Sequence, residues 1–263
     1  NNIVLEEGDI IYRDLVDGDY VAMNRAPSLL YSSISGHIVK VLDKGDTLRL
    51  SVNVVDTLYG GDFDGDAMMM IFPHSIMSRN ECRLLCGLEK WFISLKDGNP
   101  SIGVYHDGLI GSYELTKNDT KFNKLNEMRL YSNNSENIFI NNSNSFVDGR
   151  KIISNILPSI NYEKKCKHYN PDYAHFIDYK KEEIKVNIKR GNLNTGRLDK
   201  NSIGQGVMGS MFHIMYQEYG HKLTLDRIYD IQQITTIYQM HKGIKCIRLN
   251  RIYCYVFRKR NQA

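Results

Sequence analysis

No run of apolar residues in this sequence approaches the length of a bilayer span, and no signal-peptide pattern opens it. Both absences predict an intracellular chain, in nucleus or cytoplasm, with no membrane partner. Cysteine is scarce and odd in number: Cys82, Cys86, Cys166, Cys246 and Cys254. An odd set without a secretory signal argues for free thiols in a reducing compartment rather than a disulfide framework. Cys82 and Cys86 stand one helical turn apart and Cys166 lies near His168, but this is not the pair of ligand pairs that a structural zinc needs. An excess of one charge sign is also nearly missing. A formal net charge of +4 is too small to indicate nucleic acid by itself. Internal repeats are lacking, and so is an initiator Met ahead of Asn1, which predicts a piece of something longer.

The sequence does have 42% hydrophobic residues over 263 positions, enough to bury a core in one or two domains. It also has one unusual run, Asp62-Phe63-Asp64-Gly65-Asp66. Alternate side chains of an extended or looped backbone point the same way, so these carboxylates are expected to converge. Like charges that close are costly unless a cation neutralises them. Oxygen donors suit a hard ion such as Mg²⁺, and Gly65 permits the bend that convergence needs.

Other readings of the same run are a solvated acidic turn and a calcium loop. The calcium loop requires Gly at its sixth position and Glu at its twelfth, where this sequence has Ala67 and Pro73. The flanks argue against a plain turn. Val52, Val54 and Val55 precede the run and Met68 to Phe72 is apolar throughout, so the acids are expected between two buried segments.

Around this loop, residues 8–75 read as β-rich. Leu48, Leu50, Val52 and Val54 alternate with polar residues as a half-buried strand does, and Asp43 to Asp46 form a turn from a strand around Ile38 to Leu42. A helix is predicted to start at Ser78, capped with Glu81, with Leu84, Leu85 and Leu88 on its apolar side. A second helix is expected over Val104 to Leu115. Residues 117–148 are Asn- and Ser-rich and read as a surface loop or insertion. Strand character appears around Ile184 to Ile188. Two helices follow, Gln205 to Tyr219 and Leu225 to His241, the second stopped by Gly243. Met208, Met211 and Met215 are expected in the core. Residues 244–263 are a basic, aromatic tail, which fits either a solvated end or a contact with nucleic acid.

The motifs fall in an order that resembles a known family. Asn24-Arg25-Ala26-Pro27-Ser28-Leu29 comes first, then Gly36-His37, then Arg49-Leu50 leading into the aspartate loop. Farther along stand Asn99-Pro100-Ser101-Ile102-Gly103, Gly149-Arg150-Lys151 and Lys200-Asn201-Ser202-Ile203-Gly204. This series, over residues 8–243, is similar to the catalytic barrel and following tract of the largest subunit of multisubunit DNA-dependent RNA polymerases. The tract around Gly36-His37 resembles the archaeal, eukaryotic and large-DNA-virus branch.

The resemblance implies an α+β fold: a double-psi β-barrel over 8–75, then a mixed, mainly helical region over 76–243 near the pore and funnel, then a divergent tail. It implies nucleotidyl transfer from nucleoside triphosphates to an RNA 3′ end. Asp62, Asp64 and Asp66 would bind Mg²⁺, and Arg25 would approach the ribose hydroxyls with its planar donor fork. Expected partners are the second-largest subunit and other polymerase subunits, a DNA template, RNA and nucleoside triphosphates; a viral chain would work in the viral factory. Two other functions share these features: an inactive relative that only binds partners, and a two-barrel RNA-dependent polymerase. The sequence departs from the family at Gly60-Gly61, where Asn-Ala is usual and the Asn helps contact the sugar. It departs again at Leu30-Tyr31, usually His and a basic residue, and at Ala67, usually polar.

Overall fold

A computed structural model describes residues 4, 6–134, 146–166 and 183–243. The basic tail with Cys246 and Cys254, residue His168, and positions 135–145 of the Asn-rich run lie outside these residues. The expected mixture of helices and strands is present, with the strands in small antiparallel sheets, in two compact units, Asn1–Ile93 and Ser94–Ala263. No helix among the described residues is long and apolar enough to cross a membrane.

The first unit is built on a three-stranded antiparallel sheet. Strand β1 (Tyr20–Asn24) lies between β2 (Ile34–Ile38) and β3 (Met69–Ile71). Val21 and Met23 alternate inward from β1, as the pleat dictates. Helix α1 (Val52–Tyr59) precedes the aspartate loop, and α2 (Ile76–Leu85) follows β3. The C-terminal end of α2 rests against β2: the Gly36 N–H donates to the Cys86 carbonyl at 2.6 Å.

Several expectations for this unit are corrected. The alternating run through Val54 is not a strand, because a helix begins at Val52. Val54, Val55, Leu58 and Tyr59 are buried on one side of it, a spacing of one helical face. Gly60 then closes it in the left-handed conformation at φ 57°, donating its N–H to the Asp56 carbonyl at 2.9 Å. The second strand runs over Ile34–Ile38, not through Leu42. Helix α2 starts three residues before the predicted position, since Ser75 is the residue whose hydroxyl caps it, accepting from the Ser78 N–H at 3.0 Å. Leu84 and Leu85 are exposed and Cys82 is the buried residue of that helix. The apolar run after the aspartates is also exposed in this chain, at 59% for Met69 and 46% for Ile71 on β3, an edge strand paired only with β1 among the described residues.

The second unit packs helices around a long one. Helix α3 (Asp107–Leu115) is followed by the short pair β4 (Lys121–Phe122) and β5 (Val147–Asp148), with α4 (Lys124–Leu130) between them. After α5 (Gly149–Ser154) comes an antiparallel sheet of β6 (Tyr162–Lys165), β7 (Lys185–Lys189) and β8 (Asn192–Thr195), in that order. Helices α6 (Lys200–Ile203), α7 (Met211–Tyr219) and α8 (His221–Lys242) complete it. Ile228, Ile231 and Ile234 of α8 are buried. The Glu183–Arg197 ion pair is also buried, and Arg197 donates a further hydrogen bond to the Tyr113 hydroxyl at 2.8 Å.

Here too the chain differs from its sequence reading. Residues 117–148 are not all loop: Asn123 caps α4 by accepting from the Asn126 N–H, and Leu130 and Glu127 are buried. Asparagine at that point serves as a helix start. Helix α7 begins only at Met211, so Met211 and Met215 are fully buried while Met208, ahead of the helix, is 67% exposed.

Candidate metal centre

The aspartate loop is held between two pieces of regular structure, the left-handed end of α1 and the edge strand β3. Within it, Asp62, Asp64 and Asp66 each offer a carboxylate oxygen, and these atoms all lie within 4.8 Å of one another. All three residues are exposed, and Phe63 between them points an exposed ring outward. The loop is closed on itself by the Asp62 N–H, which donates to Asp66 Oδ2 at 3.3 Å.

The electrostatics of the three differ. A hydrogen bond with Asp62 and the charge of that neighbour push the Asp64 carboxyl above its ordinary value, with a further push from Asp66. Asp66 is held below its ordinary value, chiefly by the hydrogen bond from Arg25 and also by the Asp62 N–H. Arg25 reaches the loop from the end of β1: its Nε lies 2.6 Å from Asp66 Oδ2, and its Nη1 donates to the Tyr59 carbonyl at 3.3 Å. In the same motif Ser28 Oγ donates to Asn24 Oδ1 at 2.7 Å.

These residues fit a hard divalent cation. The donors are carboxylate oxygens, they converge, and their mutual repulsion is the kind a cation relieves. Exposure leaves room for the waters or substrate oxygens that Mg²⁺ keeps in its coordination shell. The structure thus brings together all four residues singled out from the sequence.

The sequence singled out no role for Tyr59, and His37 entered only as part of the Gly36-His37 motif. The His37 Nε2 lies 2.6 Å from the Tyr59 hydroxyl, and burial pushes that imidazole down to about 4. Burial raises the Tyr59 phenol to about 12, although a hydrogen bond with Ser35 lowers it in part. The one signal in the sequence is position, since Tyr59 immediately precedes the Gly60-Gly61 departure. Gly60 itself is left-handed, a conformation that glycine and, next to it, asparagine adopt at least cost. The departure from the family's usual Asn therefore leaves the backbone requirement at this position satisfied.

Comparison with known proteins gives matches along nearly the whole chain. The family model described as RNA polymerase Rpb1, domain 2 matches residues 1–88, and that described as RNA polymerase Rpb1, domain 3 matches residues 91–247. The DNA-directed RNA polymerase RPB1 homolog of African swine fever virus (strain Badajoz 1971 Vero-adapted) is 38% identical over 251 residues, which is 91% of this chain and 17% of that protein. DNA-directed RNA polymerase subunit 1 of Acanthamoeba polyphaga mimivirus is 32% identical over 92% of this chain and 15% of its own length. DNA-directed RNA polymerase II subunit RPB1-B of Trypanosoma brucei brucei is 30% identical over 92% of this chain and 13% of its own. The chain thus spans less than a fifth of these relatives (17%, 15% and 13%).

Proposed function

The chain belongs to the Rpb1 family of RNA polymerase largest subunits, and from that membership we propose that it is the catalytic segment of a DNA-directed RNA polymerase. The reaction is attack of an RNA 3′-hydroxyl on the α-phosphate of a nucleoside triphosphate, with pyrophosphate leaving. The observation that carries this reading is the convergence of three carboxylates in a chain of this family, with Arg25 bound to one of them.

Asp62, Asp64 and Asp66 would hold Mg²⁺. When bound, such an ion lowers the pKa of the 3′-hydroxyl and stabilises charge on the attacking and leaving oxygens. Arg25 holds the Asp66 carboxyl below its ordinary value and aimed into the loop, while the neighbouring Asp62 holds that of Asp64 above its own. The same guanidinium presents a planar set of donors suited to ribose hydroxyls.

In this reading β1, β2 and β3 are part of a double-psi β-barrel over 8–75. Residues 76–243 form the pore- and funnel-proximal region, with an insertion at 117–148 and a divergent tail from 244. The segment works inside a multisubunit assembly with a second-largest subunit, on a DNA template, making RNA within the cell. The similarity to DNA-directed RNA polymerase subunits favours a DNA-directed enzyme over an RNA-dependent two-barrel polymerase or an inactive binding module.

The test is Asp64→Ala in the full-length subunit, assembled into polymerase and assayed for RNA extension. Loss of a metal ligand is expected to cost on the order of 10³-fold in rate. Extension at the unsubstituted rate would refute the catalytic assignment.

A further inference from the structure

Beside the aspartate loop lies a buried polar cluster that the proposed chemistry does not use. Ser35 and His37 stand two positions apart on β2, so their side chains leave the same face of the strand. Both reach the hydroxyl of Tyr59, the last residue of α1: Ser35 Oγ at 2.5 Å and His37 Nε2 at 2.6 Å. A phenol hydroxyl has one proton to give and lone pairs with which to accept, so either direction of donation satisfies all three groups. Ser35 is fully buried and Tyr59 is 5% exposed. Breaking the cluster would leave the buried Ser35 and Tyr59 hydroxyls short of a partner, while half-buried His37 closes the cluster from its outer side.

The other end of the same residue faces the loop. The Tyr59 carbonyl accepts from Arg25 Nη1, Arg25 Nε donates to Asp66 Oδ2, and the same oxygen accepts from the Asp62 N–H. Two sets of hydrogen bonds, joined by the covalent frame of Tyr59, therefore link strand β2 through Arg25 to two of the aspartates. Gly36, between Ser35 and His37, fixes the strand from its other side. A Cβ there would lie 2.8 Å from the Cys82 carbonyl oxygen, so β2 is seated directly on the backbone of α2.

We infer that Tyr59, clamped by Ser35 and His37, is a positioning residue that sets the place of Arg25 and, through it, of Asp66. It thereby governs both divalent-cation affinity and discrimination for the ribose. This rests on the polymerase reading above. Neither Tyr59 nor its clamp touches the reacting atoms. Their effect is exerted through the C-terminal turn of α1.

The experiment uses Tyr59→Phe and His37→Gln in the full-length subunit, assembled into polymerase. Phe keeps the ring and removes only the hydroxyl. Gln keeps a side-chain donor and acceptor able to meet the phenol. The first readout is backbone cleavage near residues 62–66 by hydroxyl radicals from bound Fe²⁺, titrated with Fe²⁺ and scored without turnover. The second is KM and kcat for ribonucleotide against deoxyribonucleotide addition.

Tyr59→Phe is expected to raise the half-saturating Fe²⁺ and to reduce ribose discrimination, each by about 3- to 10-fold, the worth of one buried hydrogen bond. His37→Gln is expected to retain most of both. An unchanged Fe²⁺ midpoint and unchanged discrimination in Tyr59→Phe would overturn the inference. So would a uniform fall in kcat for both sugars with no shift in the Fe²⁺ midpoint, which marks a merely structural role. Asp64→Ala separates the two levels. If it leaves extension intact, the polymerase reading fails. If it abolishes extension while Tyr59→Phe is silent, only the positioning role fails.

Discussion

Arg25 Nε donates to Asp66 Oδ2 at 2.6 Å across 41 positions of sequence. The side chains are 25% and 27% exposed, so this ion pair is screened and adds little to stability. Its consequence is alignment, because the second arm of the guanidinium is spent on the Tyr59 carbonyl and the fork cannot swing.

Arg25→Lys is therefore predicted to separate charge from geometry. A lysine ammonium keeps the positive charge but cannot make both bonds from one planar group. The expected outcome in assembled polymerase is a rise of roughly tenfold in KM for the nucleoside triphosphate, with thermal unfolding of the chain unchanged. Steady-state kinetics beside a melting curve checks both halves.

Gly36→Ala should act on stability. The added methyl would meet backbone, the Cys82 carbonyl oxygen at 2.8 Å, rather than a side chain that can turn away. The Gly36 N–H bond to the Cys86 carbonyl would have to lengthen as β2 and α2 part. A loss of about 1–3 kcal/mol is expected, read from the midpoint of urea denaturation.

His37 gives a pH dependence with a definite sign. Burial holds its folded-state value at about 4, below the unfolded value of 6.5, so the unfolded chain binds the proton more readily. Stability is then fully present above the unfolded value and falls as pH drops toward the folded one. Between about pH 7 and about pH 5 the loss attributable to this one ring is about 2 kcal/mol. His37→Gln removes the titrating group, so the difference between the two denaturation series over that range isolates the effect. Equal slopes for the two proteins would contradict it.

The parts of this molecule that could be read from sequence are those where chemistry is local. Carboxylates at alternate positions with Gly65 among them had to converge or repel, and they converge. The end of α8 at Gly243 was likewise visible as a glycine after a long periodic segment. The misread elements are short apolar runs, which carry no decisive period. Val52 and Val54 alternate with polar neighbours as a strand would, yet Val55 and Leu58 complete a helical face, and Gly60 supplies the stop. At α2 two serines three residues apart both fit a cap, and only the backbone shows that Ser75 is the one used. The clamp on Tyr59 was not legible at all. It joins residues 22 and 24 positions apart, and nothing in either tract alone specifies that Ser35, His37 and a phenol hydroxyl meet.

Position 60 allows the most direct test of how backbone conformation and substrate contact are linked at this site. The residue sits at φ 57°, ψ 32°, and a Cβ built there meets nothing within 4 Å. Space is therefore not limiting, and the left-handed backbone alone decides which residues are accepted. Asparagine adopts this conformation at modest cost, whereas a β-branched residue does not. Gly60→Asn is expected to fold normally, with its amide at the mouth of the aspartate loop where the family's usual Asn helps contact the sugar. A fall of about 2- to 5-fold in KM for the nucleoside triphosphate should follow from one added hydrogen bond. Gly60→Val should instead destabilise the chain by about 1–2 kcal/mol and disturb the Asp62 N–H bond to Asp66. If Gly60→Asn and Gly60→Val unfold at the same denaturant concentration, the left-handed end of α1 is not what limits this position.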